Sequence, residues 1–159
     1  KLIRVNFLRE NNIKFDEIIA SNDVMFSAKV GYHMNKFVVS REEIYCVTKH
    51  KGSLTVNIGE EVFDARVLTH IKYCEFLKSK LNSEELKATD VKGGMGYLIT
   101  ALRFKFGIKK VLTTYLLFRK SKVKVFNIKY LNPIYTIKKI IDQYKITKND
   151  KNYYVKNPM

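Results

Sequence analysis

Residues 110–118, KVLTTYLLF, and 123–130, VKVFNIKY, decide the fold. Both runs are rich in β-branched and aromatic residues, the types that suit a pleated, half-buried surface. Arg119-Lys120-Ser121-Lys122 between them is a polar connector of hairpin length. Two antiparallel strands are therefore expected here, with a helix over 110–118 as the competing reading. Before the pair, Tyr97 to Phe106 reads as a helix stopped by Gly107. After it, Asn132-Pro133 is a helix start, because Asn caps and Pro suits the first turn. Ile134, Ile137, Ile141 and Tyr144 then fall on one face of a final helix ending near 146. Residues 147–159 are rich in Lys, Asn and Tyr and read as a frayed tail.

Towards the N-terminus, residues 2–12 fit a short helix or a strand equally. Residues 24–30 (VMFSAKV) alternate in part, 37–40 and 44–49 are β-branched and aromatic, and Leu54, Val56 and Ile58 alternate after the Lys51-Gly52 turn. Gly59-Glu60 then turns the chain into Val62 and Phe63. Residues 24–63 are thus expected to form an antiparallel meander with one wet face. Asp64 is the expected cap of a helix in which Val67, Leu68, Ile71, Cys74 and Leu77 keep helical spacing. Ser83, with Glu84 and Glu85 in its first turn, starts a second short helix. The expected class is α+β: an N-terminal meander packed with a helix-loop-helix, a hairpin and a C-terminal helix. Residues 1–64 make a β-rich part and 65–146 a basic part, compatible with one compact domain.

Charge divides the chain unevenly. The net charge is +15. From Val91 to Ile141 there is no acidic residue, while twelve cations occur: Lys92, Arg103, Lys105, Lys109, Lys110, Arg119, Lys120, Lys122, Lys124, Lys129, Lys138 and Lys139. A one-signed field of this size destabilises a compact state unless a polyanion neutralises it. Nucleic acid is the commonest polyanion for a folded basic domain. Aromatic residues lie among the cations, and Tyr97 and Tyr130, near Lys92 and Lys129, are the candidates for stacking on bases.

The loop Lys92-Gly93-Gly94-Met95-Gly96 joins two expected helices. Gly93 and Gly96 stand at the spacing of a G-x-x-G loop; Leu86 precedes it, and Ile99, Leu102 and Gly107 follow it. Over roughly residues 70–146 this resembles the K-homology (KH) domain. The resemblance implies that the loop clamps a nucleic-acid backbone of about four nucleotides beside a groove that reads unstacked bases of single-stranded RNA or DNA. Lys92 stands where that family usually has Ile. Physically, the loop glycines let the backbone come close to phosphates, and the amides opening the next helix would point at them. The expected binding residues are Lys92, Gly93, Gly94, Gly96, Tyr97, Arg103, Lys105, Lys109, Lys110, Arg119, Lys120, Lys122, Lys124 and Lys129. A loop that only reverses the chain is the competing reading.

Other chemistries find weaker patterns. Cys46-x3-His50 and His70-x3-Cys74 have the residue types of a zinc site. On a strand, however, the first pair would span about 13 Å, too far for two ligands of one tetrahedral ion. No metal or other cofactor is expected. Asp64 with Glu85-x-Lys87 has the order of a metal-dependent nuclease, but both acids also suit helix starts. No phosphate-binding G-x-x-x-x-G-K-[ST] loop occurs. Two cysteines make no disulfide framework and point to a reducing compartment: cytoplasm, nucleus or organelle matrix. No apolar run reaches the roughly 18–20 residues of a membrane span, and no membrane partner is expected. Abundant Lys, Asn and Ile with no Trp fit an AT-rich genome such as that of a phage, virus or organelle. The sequence thus favours a non-catalytic nucleic-acid-binding protein. The alternatives are a nuclease or other mobile-element DNA enzyme, and a viral or phage assembly protein that binds an acidic partner.

Overall fold

The computed structural model describes residues 2–39, 42, 58–89, 91, 93–126 and 133–134. They form six helices: α1 (Val5–Glu10), α2 (Asn22–His33), α3 (Glu60–Lys80), α4 (Ser83–Ala88), α5 (Met95–Arg103) and α6 (Ile108–Lys120). Among the described residues there is no strand, which overturns the α+β expectation. Residues 24–30 lie inside α2, not in a meander. Val24 and Ala28, four apart, face Tyr73 of α3, and Tyr32, four further on, meets Phe76 edge-on at 5.9 Å. That i, i+4, i+8 row is a helical stripe; the partial alternation was a by-product of it. Residues 37–39 form no element. The strands expected at 44–49 and 54–56 lie outside the described residues.

α3 is the central element. It begins four residues before the expected cap, with Gly59 preceding it and Glu60 and Glu61 in its first turn, where carboxylates complement the helix dipole. It runs unbroken through the 64/65 boundary. Phe63, Val67, Ile71 and Cys74 share one face and build the main core with Leu98 and Ala101 of α5, Phe118 of α6, and Val123 and Val125. α2 packs on another side of α3, and α5 packs on α6. α4 begins with a capping box: Asn82 accepts from the Glu84 and Glu85 amides, and the Glu85 carboxylate accepts from the Asn82 amide.

The expected first hairpin strand is helix α6. A strand would put Leu112, Thr114, Leu116 and Phe118 on one face. In α6 only Thr114 and Phe118 of these are buried, at 2% and 0% exposure, with Val111 and Tyr115 packed beside them. The buried set recurs at i, i+3, i+4 and i+7, and its burial outweighs the β-preference of individual residues.

Both α5 and α6 end on a lysine with left-handed backbone, Lys105 at φ 56° and Lys122 at φ 53°. Phe106 N–H donates to the Ala101 carbonyl and Lys105 N–H to Leu102; Val123 N–H donates to Phe118 and Lys122 N–H to Arg119. These are paired 6→1 and 5→2 bonds, which satisfy the last carbonyls of a helix and turn the chain back onto its core. Gly107, expected to end the first helix, has φ 85° and instead precedes α6. Residues 123–126 form no regular element, and 127–130 lie outside the described residues. Of the final helix, Pro133 and Ile134 are described and are helical.

Candidate nucleic-acid interface

The glycine loop is held from below. Gly94 N–H donates to the Lys124 carbonyl at 2.9 Å, and Met95 N–H donates to Val125 at 3.1 Å. Tyr97 N–H turns back to the Gly94 carbonyl at 3.0 Å. The amides opening α5 are thus largely engaged by protein. A Cβ on Gly93 would lie 2.9 Å from the Lys124 carbonyl oxygen, and one on Gly94 would lie 2.6 Å from the Phe118 ring. These two glycines permit close approach between the loop, α6 and residues 124–125. Gly96 is exposed, with open space where a Cβ would be. The Tyr97 ring lies 5.0 Å from His70, 5.7 Å from Phe118 and 6.5 Å from Phe63. Burial pushes its hydroxyl pKa up, as it does for a ring serving the core. Lys92, Lys129 and Tyr130 lie outside the described residues.

The cations divide into two groups. Lys110 points to α3: its Nζ lies 2.8 Å and 3.0 Å from the two Asp64 oxygens and 3.2 Å from Glu60 Oε2. The hydrogen bonds to Asp64 raise its pKa above the ordinary lysine value; burial opposes them, and the hydrogen bond to Glu60 and the attraction of both carboxylates add to the rise. This lysine is a clasp between α3 and α6. Arg103, Lys105, Lys109, Arg119, Lys120, Lys122 and Lys124 are exposed, and none forms an ion pair among the described residues. No residue from 91 to 126 is acidic, so neutralisation would have to come from another element or another molecule.

Three cations converge where α6 ends beside the last turns of α3. Lys78, Lys120 and Lys122, with Ser79, Ser121 and one carboxylate, Glu75, line a shallow open groove. Lys78 Nζ donates to the Lys122 carbonyl at 2.7 Å. That bond fixes the α3 end against the α6 cap and sets an ammonium among the groove's other two. Lys78 lies outside the acid-free window, so charge counting passed over it. The signal for it is its place in the last helical turn of α3.

The acids that suggested nuclease chemistry have partners. Asp64 sits inside α3 on Lys110, and Glu85 closes the α4 capping box. His70 and Cys74 are buried, with Sγ 3.6 Å from Nε2; burial raises the thiol's pKa. No cluster of three or more His, Cys, Asp or Glu able to hold a metal occurs among the described residues, and Cys46 and His50 lie outside them. No helix among the described residues is long and apolar enough to cross a membrane. No family model, curated protein or solved structure matches the chain, so its geometry carries the functional reading alone.

Proposed function

We propose that this protein binds the phosphate backbone of nucleic acid without catalysing a reaction on it. The observation that carries the reading is the set of seven exposed cations on α5, the turn after it, α6 and the segment beyond, in no ion pair among the described residues and joined by Lys78 at the groove. A lysine in water that later meets a phosphate releases a condensed counterion, and that release drives salt-sensitive binding. The groove adds two serine hydroxyls that can donate to phosphate oxygens.

The test is binding of labelled single- and double-stranded oligonucleotides between about 50 and 200 mM salt. Affinity should fall steeply with salt. The triple variant Lys78→Ala, Lys120→Ala, Lys122→Ala should bind more weakly and lose about 0.7–0.9 of logarithmic salt slope per lysine that meets a phosphate. A folded triple variant with unchanged affinity and slope removes the groove from the interface. Divalent-metal-dependent cleavage of the strands would favour a nuclease. A wild-type protein that binds no nucleic acid at low salt, yet captures an acidic protein, would favour the assembly role.

A further inference from the structure

We infer that α5, the turn Phe104–Gly107 and α6 form a helix-turn-helix that reads double-stranded DNA, with α6 lying in the major groove. The inference rests on the nucleic-acid reading above and names its ligand and the element that contacts it. Two helices joined by a three- or four-residue turn containing glycine are the form in which proteins present a second helix to the major groove. Here the four-residue turn is tightly specified: Lys105 and Gly107 take positive φ, and Phe106 returns its amide to Ala101. Ala101 is fully buried at the base of the turn, where a small side chain lets helices approach closely.

The two faces of α6 divide accordingly. Val111, Thr114, Tyr115 and Phe118 turn to the core. Ile108, Lys109, Leu112, Thr113, Leu116 and Lys120 are exposed. Ile108, Leu112 and Leu116 are 69%, 55% and 61% exposed at i, i+4 and i+8, an aliphatic row about 12 Å long. Its rim decides what covers it. Lys109, Arg119 and Lys120 stand on α6 itself and Arg103 and Lys105 shortly precede it, all exposed, so a second copy set face to face would oppose like charges. The Glu60 and Asp64 carboxylates of α3 are already held by Lys110 of α6 and repel an incoming phosphate less.

The row suits the major groove chemically as well. Aliphatic side chains contact the thymine methyl, lysine takes the guanine acceptors, and threonine serves either donor or acceptor. The ligand class is therefore a thymine-containing B-form duplex, with α6 on the bases and the groove of Lys78, Lys120 and Lys122 on the flanking backbone.

Selection of the full chain against randomised duplexes tests this, followed by affinity measurements on the enriched duplex, its uracil-for-thymine version and its separated strands. A short motif should emerge. Lys109→Ala should lower affinity for the enriched duplex about tenfold but reduce affinity for an unrelated duplex only by the loss of one phosphate-scale contact. Leu112→Asp with Leu116→Asp, both at exposed positions, should abolish selectivity while helical content stays unchanged. Replacing thymine by uracil should weaken binding several-fold. Absence of any enriched motif, or single strands bound as tightly as duplex, overturns the inference and leaves the phosphate-backbone reading standing. Failure to bind any nucleic acid at low salt overturns both. Binding to phosphatidylserine vesicles in preference to duplex would assign the aliphatic row to a lipid surface and also overturns the inference.

Discussion

A methyl group added at Gly94 would sit 2.6 Å from the Phe118 ring, whereas at Gly96 it would meet nothing within 4 Å. Gly94→Ala should therefore destabilise the fold by about 1–3 kcal/mol through overpacking. Gly96→Ala should stabilise it by up to about 1 kcal/mol through helix propensity. Urea titration of both variants checks the pair, and equal effects would contradict the packing described. The lysines at φ 56° and 53° pose a related question. Glycine is the favoured residue where a helix ends left-handed, and a side chain there costs about 1–2 kcal/mol. Lys122→Gly should accordingly raise the urea midpoint while weakening nucleic-acid binding and lowering the logarithmic salt slope by about 0.9. A loss of stability instead would mean that the lysine stem packs more than its backbone strains.

At the scale of elements, α3, α4 and α5 were legible in outline, and α2 and α6 were not. α3 could be read because Val67, Ile71, Cys74 and Leu77 recur at helical spacing on a single face. Its start was missed because Val62 and Phe63 resemble the end of a strand. α6 was misread because Val111, Thr113, Thr114, Tyr115 and Phe118 each suit a strand, while Leu112 and Leu116, exposed in the fold, look like core residues. Sequence cannot separate an exposed leucine from a buried one. The structure makes the distinction testable. Leu112→Lys and Leu116→Lys should each change stability by less than about 0.5 kcal/mol. Thr114→Lys and Phe118→Lys bury a charge and should unfold the protein or cost several kcal/mol. A strand at 110–118 would make all four substitutions damaging. The cationic half of the site was visible from composition alone, whereas the groove was not. Lys78 meets Lys122 only through a contact 44 residues apart in sequence.

Over the whole molecule, Lys110 links two helices whose partners lie 46 residues apart. Partly exposed ion pairs contribute up to about 1 kcal/mol, so Lys110→Met should lower stability by no more than that near neutral pH. Its folded pKa is raised, which means that the folded state holds the proton more tightly than the unfolded chain. The clasp's contribution is complete below the ordinary lysine pKa of about 10.4 and fades as pH climbs past it. Denaturation of wild type and Lys110→Met across that range should show the gap between them closing. The same variant uncovers Glu60 and Asp64 beside α6 and should weaken nucleic-acid binding, although Lys110 itself faces inward.

One consequence of the tie between residues 94–95 and 124–125 concerns motion. The first amides of a helix ordinarily lack intrahelical partners and trade their protons with solvent within its fraying end. At the start of α5 two of them donate to the carbonyls of Lys124 and Val125. Deuterium uptake at Gly94 and Met95 should therefore be as slow as in the middle of α3, because releasing those protons requires 123–126 to peel away and Val123 and Val125 to leave the core. The chain that continues beyond Phe126 would then depart from a fixed anchor instead of a loose hinge.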